Sequence, residues 1–248
     1  MVHLPPDLVP VELAERVNRF AVRARAQAGG APLYLHLANS GRMRELLLPG
    51  ALGLADLRAA PGRRTDGSLL LVRGAGRWVG LDAHLPNRLF AAALAAGELA
   101  PFRGAVSWRA EVPAAHPRAA SDSRVGGSRI DFLVGDCLVE VKSCNRVDGG
   151  IALFPDAPTA RGARHLRLLA AAVAAGRRAA VVWFVQRDDA TRLVPWAEAD
   201  PDFAAAAREA AAAGVEFHAY RCAVSPEAVA IAEAIPVEVS NQDPAEEA

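Results

Sequence analysis

Residues 128–143 constrain this fold more than any other stretch. SRIDFLV (128–134) and CLVEVKS (137–143) are β-type segments with only Gly135-Asp136 between them. A two-residue connection with glycine first is the signature of a type II′ hairpin turn, and the turn fixes the register of both strands. Asp131 then stands opposite Glu140, Arg129 opposite Lys142 and Ile130 opposite Val141. Alternation gathers Ile130, Phe132, Val134, Cys137, Val139 and Val141 on one apolar face, fit for a core. The other face presents Arg129, Asp131, Glu140 and Lys142.

Carboxylates directly opposite one another lie about 4.5–5.5 Å apart at Cβ and repel. A cation between them removes the repulsion. A hard, oxygen-preferring ion such as Mg2+ or Mn2+ suits one or two carboxylates completed by water and substrate phosphate. The plain alternative is a solvated sheet face on which Arg129 and Lys142 neutralise the acids. Composition favours the cation. Of 28 basic residues 27 are arginine, and Lys142 is the only lysine. A compact amine can orient or deprotonate a water, or hold a phosphate oxygen, and a guanidinium cannot give up its proton. Asp131, Glu140 and Lys142 are therefore the candidate catalytic residues.

The 28 acidic residues balance the charge overall but not along the chain. Residues 1–83 hold 11 basic and 7 acidic residues, residues 84–199 hold 15 and 11, and residues 200–248 hold 2 and 10. A mild positive surplus over the first four-fifths permits a polyanionic partner without demanding one. Three scattered cysteines make neither a disulfide framework nor a zinc site. The start, MVHLPPDLVP, has no apolar run of signal type, and no segment reaches the length of a membrane span. A cytoplasmic protein without membrane association is expected.

Short apolar runs at 33–38, 45–48, 68–73 and 77–81, broken by Gly, Pro and Asp, predict a small β-rich barrel or sandwich. From Asn87 the pattern changes. LFAAALAAGEL reads as a helix ending near Gly97, followed by strands at 105–112, 128–134 and 137–143. A helix over 158–176 and a fully apolar strand over 179–186 come next. A helix around 202–213, a short strand at 215–219 and a helix around 225–234 complete the reading. The order helix, three strands, helix, strand is that of an α/β domain, with a boundary near 83–87.

SRIDF, VEVKS and ALFPDAPTARGARHL together resemble the sugar fermentation stimulation protein family. ERVNRF, HLANSGRMRELLLPG, LDAHLPNRLF and VVWFVQRDD match the same family in the same order. The resemblance implies two domains in an α+β chain. Residues 1–83 would form an OB-fold-like β-barrel, and residues 84–248 an α/β domain like the PD-(D/E)xK nucleases, with a mixed central sheet flanked by helices. In that superfamily one Asp and an ExK triplet form the site, and they fall here on Asp131, Glu140 and Lys142. The carboxylates there hold a metal with help from the carbonyl between Glu and Lys, here Val141. Mg2+- or Mn2+-dependent hydrolysis of DNA or RNA is the leading expectation. The alternative is a non-catalytic DNA-binding regulator of sugar (maltose-type) metabolism on a nuclease scaffold. The intact triad and lone lysine favour the first; Ala91-Ala92-Ala93, where the first helix often carries a glutamate, favours the second.

Basic side chains supply candidate phosphate contacts. Arg161, Arg164 and His165 share one face near a helix N-terminus, where free N–H groups also attract anions. Arg16, Arg19 and Arg42 are placed to line a groove of the barrel, and Arg129 lies on the carboxylate face. Asn39 and Ser40 read as turn residues. A homodimer is compatible with the sequence.

Overall fold

A computed structural model describes residues 1–58, 62, 64–113 and 129–239. In the first half, strands β1 (Val2–His3), β2 (Val9–Asn18), β3 (Ala21–Ala26), β4 (Pro32–His36), β5 (Leu52–Asp56), β6 (Gly67–Gly74) and β7 (Arg77–Gly80) succeed one another. β4, β3, β2, β5 and β6 are hydrogen-bonded in that order, and β4 also pairs in parallel with β6 at Leu35 and Gly67. That last pairing closes a five-stranded barrel, leaving β7 beside β6. Alternation fills it: Val11, Leu13, Val22, Ala24, Leu35 and Leu69 are buried in one cluster. The apolar run at 45–48 is not a strand. Leu46 and Leu47 donate back to the Met43 carbonyl in a turn, and all three side chains join the barrel core. Residues before Val9 do not enter the barrel, because β1 pairs with the last strand of the second sheet.

The second half contains α1 (Leu85–Ala95), β8 (Trp108–Pro113), β9 (Arg129–Val134), β10 (Cys137–Cys144), β11 (Val147–Asp148), β12 (Ile151–Phe154), α2 (Ala160–Ala174), β13 (Ala179–Val185), β14 (Arg192–Pro195), α3 (Pro201–Ala212), β15 (Glu216–Val224) and β16 (Ala228–Ile235). Its main sheet runs β1-β16-β15-β13-β10-β9-β8, parallel at β10–β13 and β13–β15 and antiparallel elsewhere. β13 is apolar along its whole length because both of its faces are covered. Leu89, Phe90 and Ala93 of α1 cover one face against Phe132, Val139 and Phe184. Leu166 and Leu169 of α2 and Phe203 of α3 cover the other against Val181 and Trp183. β11, β12 and β14 form a small separate sheet.

The helix expected around 225–234 is instead β16, antiparallel to β15. Ala228, Ala230, Ala232 and Ala234 mimic a helix former, but Ser225 closes a tight turn, its N–H donating to Ala228 O at 2.9 Å. The returning strand then buries Val229 in the α1-side core. Sheet pairing and burial override weak intrinsic propensity.

The barrel is fastened to the second domain by buried polar contacts. Asn39 Nδ2 donates to Leu81 O and to Asn145 Oδ1, each at 3.0 Å. Gln186 Nε2 donates to Asp82 O at 2.9 Å and to Ser143 Oγ at 2.8 Å. Met43 N donates to Asp156 Oδ2 at 2.9 Å. A Cβ at Gly41 would lie 2.6 Å from the Asp156 carboxylate, so this approach requires glycine.

Candidate metal and nucleic-acid site

The hairpin turns where the sequence predicts. Gly135 has φ +59, as the first position of a type II′ turn needs, and Val134–Cys137, Leu133–Leu138 and Phe132–Val139 pair in the expected register. The ladder stops there. β10 runs on beside β13 as far as Cys144–Val185, while β9 stays with β8 through Ile130–Val112 and Arg129–Pro113. Beyond that point the two strands follow different neighbours, so Asp131–Glu140, Ile130–Val141 and Arg129–Lys142 do not pair as the register alone predicts. Ile130 also leaves the expected face: it packs with Leu138 on the α2 side, whereas Phe132, Val134, Cys137, Val139 and Val141 pack on the α1 side.

Asp131 occupies the fork. Its Oδ2 accepts the Val141 N–H at 2.8 Å, and Asn87 Nδ2 of α1 approaches Oδ1 at 3.3 Å. In an extended strand the N–H and C=O of one residue point to the same edge. The Val141 carbonyl therefore also points into the fork. Burial raises the Asp131 carboxyl above its ordinary range, and the neighbouring Glu140 charge adds to this against the Val141 and Asn87 hydrogen bonds and Lys142.

Glu140 projects toward α2. Its side chain is 4% exposed and that of Lys142 is 14% exposed, and the two form an ion pair through Oε1. His165 Nδ1 meets the same Oε1 at 2.5 Å from a ring only 1% exposed. Burial works to raise the Glu140 carboxyl, but Lys142 and His165 outweigh it and hold the group below its usual range. Glu140 Oε2 is buried with no hydrogen-bond partner among the described residues. Spacing alone groups His165 with Arg161 and Arg164 as a phosphate contact. It lies instead on the buried stripe of α2 with Ala163, Leu166 and Leu169, so its imidazole serves Glu140.

This donor set fits a hard divalent cation. Two carboxylates, one with an unpartnered buried oxygen, stand beside a main-chain carbonyl, the oxygen-only chemistry that Mg2+ and Mn2+ take with water filling the remaining positions. Among the described residues no group of three or more His, Cys, Asp or Glu forms an all-protein cage.

A cleft of about 450 Å³ opens between the barrel and the second domain. Val141 and Lys142 line it together with Arg19, Ser40, Gly41, Asp156 and the start of α2 at Ala160 and Arg161. Thr159 caps that helix, its Oγ1 accepting from Gly162 N at 3.0 Å. An adjoining recess adds Arg16 and Arg42 to Arg19. Arg16 is committed to the architecture, donating to the carbonyls of Gly41 at 2.7 Å, Arg19 at 3.1 Å, Asn18 at 3.2 Å and Arg42. Arg19, Arg42, Arg161 and Arg164 are exposed. Arg129 is exposed on β9 and stands 3.9 Å from Glu111. Asn39 is a buried turn and junction residue. Asn87 gave no sequence signal: an amide on a helix 44 residues before Asp131 becomes its neighbour only through packing.

Residues 84–228 match the family described as the sugar fermentation stimulation protein RE domain, and residues 14–81 match its N-terminal OB domain. The chain belongs to the sugar fermentation stimulation protein family. A homologue from Moorella thermoacetica is 48% identical over 237 residues, covering 93% of this chain and 97% of that one. Another family homologue, from Symbiobacterium thermophilum, is 46% identical over 245 residues, covering 91% and 93%. Among solved structures, that of Pyrococcus furiosus SfsA in complex with Ca2+ aligns with a TM-score of 0.80 and 28% identity, covering 96% of this chain and 99% of that one. The family's two-domain architecture thus accounts for the closed barrel and the mixed sheet together.

Proposed function

We propose that this family member binds DNA or RNA in the cleft between its domains and hydrolyses phosphodiester bonds there with Mg2+ or Mn2+. The observation that carries the reading is the buried, unpartnered Glu140 Oε2, on a strand whose next two residues, Val141 and Lys142, line a cleft together with Arg19 and Arg161. Asp131, Glu140 and the Val141 carbonyl would hold the ion. When bound, such a cation supplies Lewis-acid charge at the scissile phosphate. Lys142 lines the cleft, where its amine can hold a phosphate oxygen or exchange a proton. Arg19, Arg42 and Arg161 position the phosphate backbone without reading sequence. The Pyrococcus furiosus relative in complex with Ca2+, another oxygen-seeking cation, supports a metal role for this fold.

One observation favours the second reading, a DNA-binding regulator without catalysis: α1 brings the amide of Asn87, not a carboxylate, to Asp131. The two readings part in one assay. Labelled single- and double-stranded DNA and RNA are incubated with EDTA, Mg2+ or Mn2+, with binding followed by fluorescence anisotropy and cleavage on gels. Metal-dependent cleavage by the wild type, lost in Glu140→Ala while binding persists, is the expected result. Binding without cleavage under either metal would replace it with the regulator reading.

A further inference from the structure

Among the described residues, His165 is the buried imidazole aimed at a candidate metal ligand, and a surface role cannot explain where it sits. Both Lys142 Nζ and His165 Nδ1 converge on Oε1 of Glu140. Neither reaches Oε2, which stays buried and unpartnered. The other ring nitrogen, Nε2, is buried without a partner among the described residues. Because the ion pair with Lys142 marks Glu140 as a carboxylate, Nδ1 must carry the hydrogen and donate it to Oε1.

We infer that His165 is a positioning residue for the metal site: by occupying Oε1 from α2 it fixes the Glu140 carboxylate so that Oε2 alone faces the cation. This rests on the proposed metal-dependent reading of the site. Without the imidazole, the carboxylate is held only by the flexible side chain of Lys142 and rotates between orientations. Ordering it then falls to the incoming ion, which weakens binding. Partners of this kind behind a metal ligand typically contribute about 10- to 100-fold in metal affinity.

The test is Mn2+ binding to the full chain without nucleic acid, by titration calorimetry, with folding checked by circular dichroism and thermal melts. His165→Phe keeps the ring volume and removes the donor; His165→Asn places an amide N–H near the position of Nδ1. Loss of about 10- to 100-fold in Mn2+ affinity for the Phe variant, with most of it restored in the folded Asn variant, is the expected pattern. Restoration by Asn is an outcome that simple core filling would not produce. Asp131→Asn is the control for the site itself. Should Asp131→Asn lose Mn2+ while His165→Phe binds like wild type, this inference fails and the metal reading stands. Equal losses in the Phe and Asn variants would assign His165 to packing and overturn it as well. A wild type that takes up no Mn2+ would end both.

Discussion

At the residue scale, the site depends on two carboxylates held in opposite electrostatic conditions. Asp131 has its pKa raised by burial and by Glu140, so its charged form is disfavoured in the fold. A raised carboxyl withdraws stability as the pH climbs through its folded value. Glu140 is lowered, so its contribution is present above the ordinary glutamate range and is lost as the pH falls through its folded value. Asp131→Asn should therefore raise the thermal midpoint in EDTA at neutral pH, with the gain shrinking in acid. Mn2+ should lose its stabilising effect in the same variant; a lower midpoint at neutral pH would contradict this account. Lys142→Arg keeps the charge and gives up the deprotonatable amine. If the amine handles a proton, cleavage should drop by about 10²- to 10⁴-fold with nucleic-acid affinity unchanged, read by single-turnover kinetics beside anisotropy.

At the element scale, the hairpin is legible because its turn chemistry and its alternation agree, and both are local. The fork beyond Phe132–Val139 is not, because it arises from β9 and β10 following different partners. The same limit explains why residues 228–235 read as a helix. Their alanines carry little preference for a strand, and only pairing with β15 makes them one. His165 shows it again: spacing places it with Arg161 and Arg164, but the buried side of α2 is set by the sheet it packs on. The junction between domains gives a prediction at this scale. Asn145 is 6% exposed, donates to Gly80 O and accepts from Asn39 Nδ2. Asn145→Ala leaves Asn39 Nδ2 with Leu81 O alone and strands Gly80 O, so urea unfolding should show a loss of about 1–3 kcal/mol.

At the scale of the whole molecule, net charge is no guide to where a polyanion would sit, since 28 basic and 28 acidic residues cancel. The tertiary arrangement gathers Arg19 and Arg161 at the cleft and Arg42 at the recess adjoining it, while the acidic surplus falls in the last fifth of the chain. Affinity for duplex DNA should accordingly fall steeply with salt. Replacing Arg19, Arg42 and Arg161 together by serine should flatten the slope of log affinity against log salt by about 0.9 for each phosphate that is no longer neutralised. An unchanged slope in that variant would place the nucleic-acid path elsewhere.

The sequence by itself determined the hairpin turn, the apolar β13 core strand and the barrel-then-α/β order, and it singled out Asp131, Glu140 and Lys142 as candidates. Each of these follows from short-range patterning or from motifs recognisable in order along the chain. Only the tertiary structure decided that Asp131 caps a forked ladder through Val141, that Asn87 and His165 attend the two carboxylates, and that β1 completes the far sheet. These pairings join residues 10, 44, 25 and more than 200 positions apart. Whether such distant groups meet depends on how twisted sheets and helices pack to bury apolar surface, which no local pattern encodes.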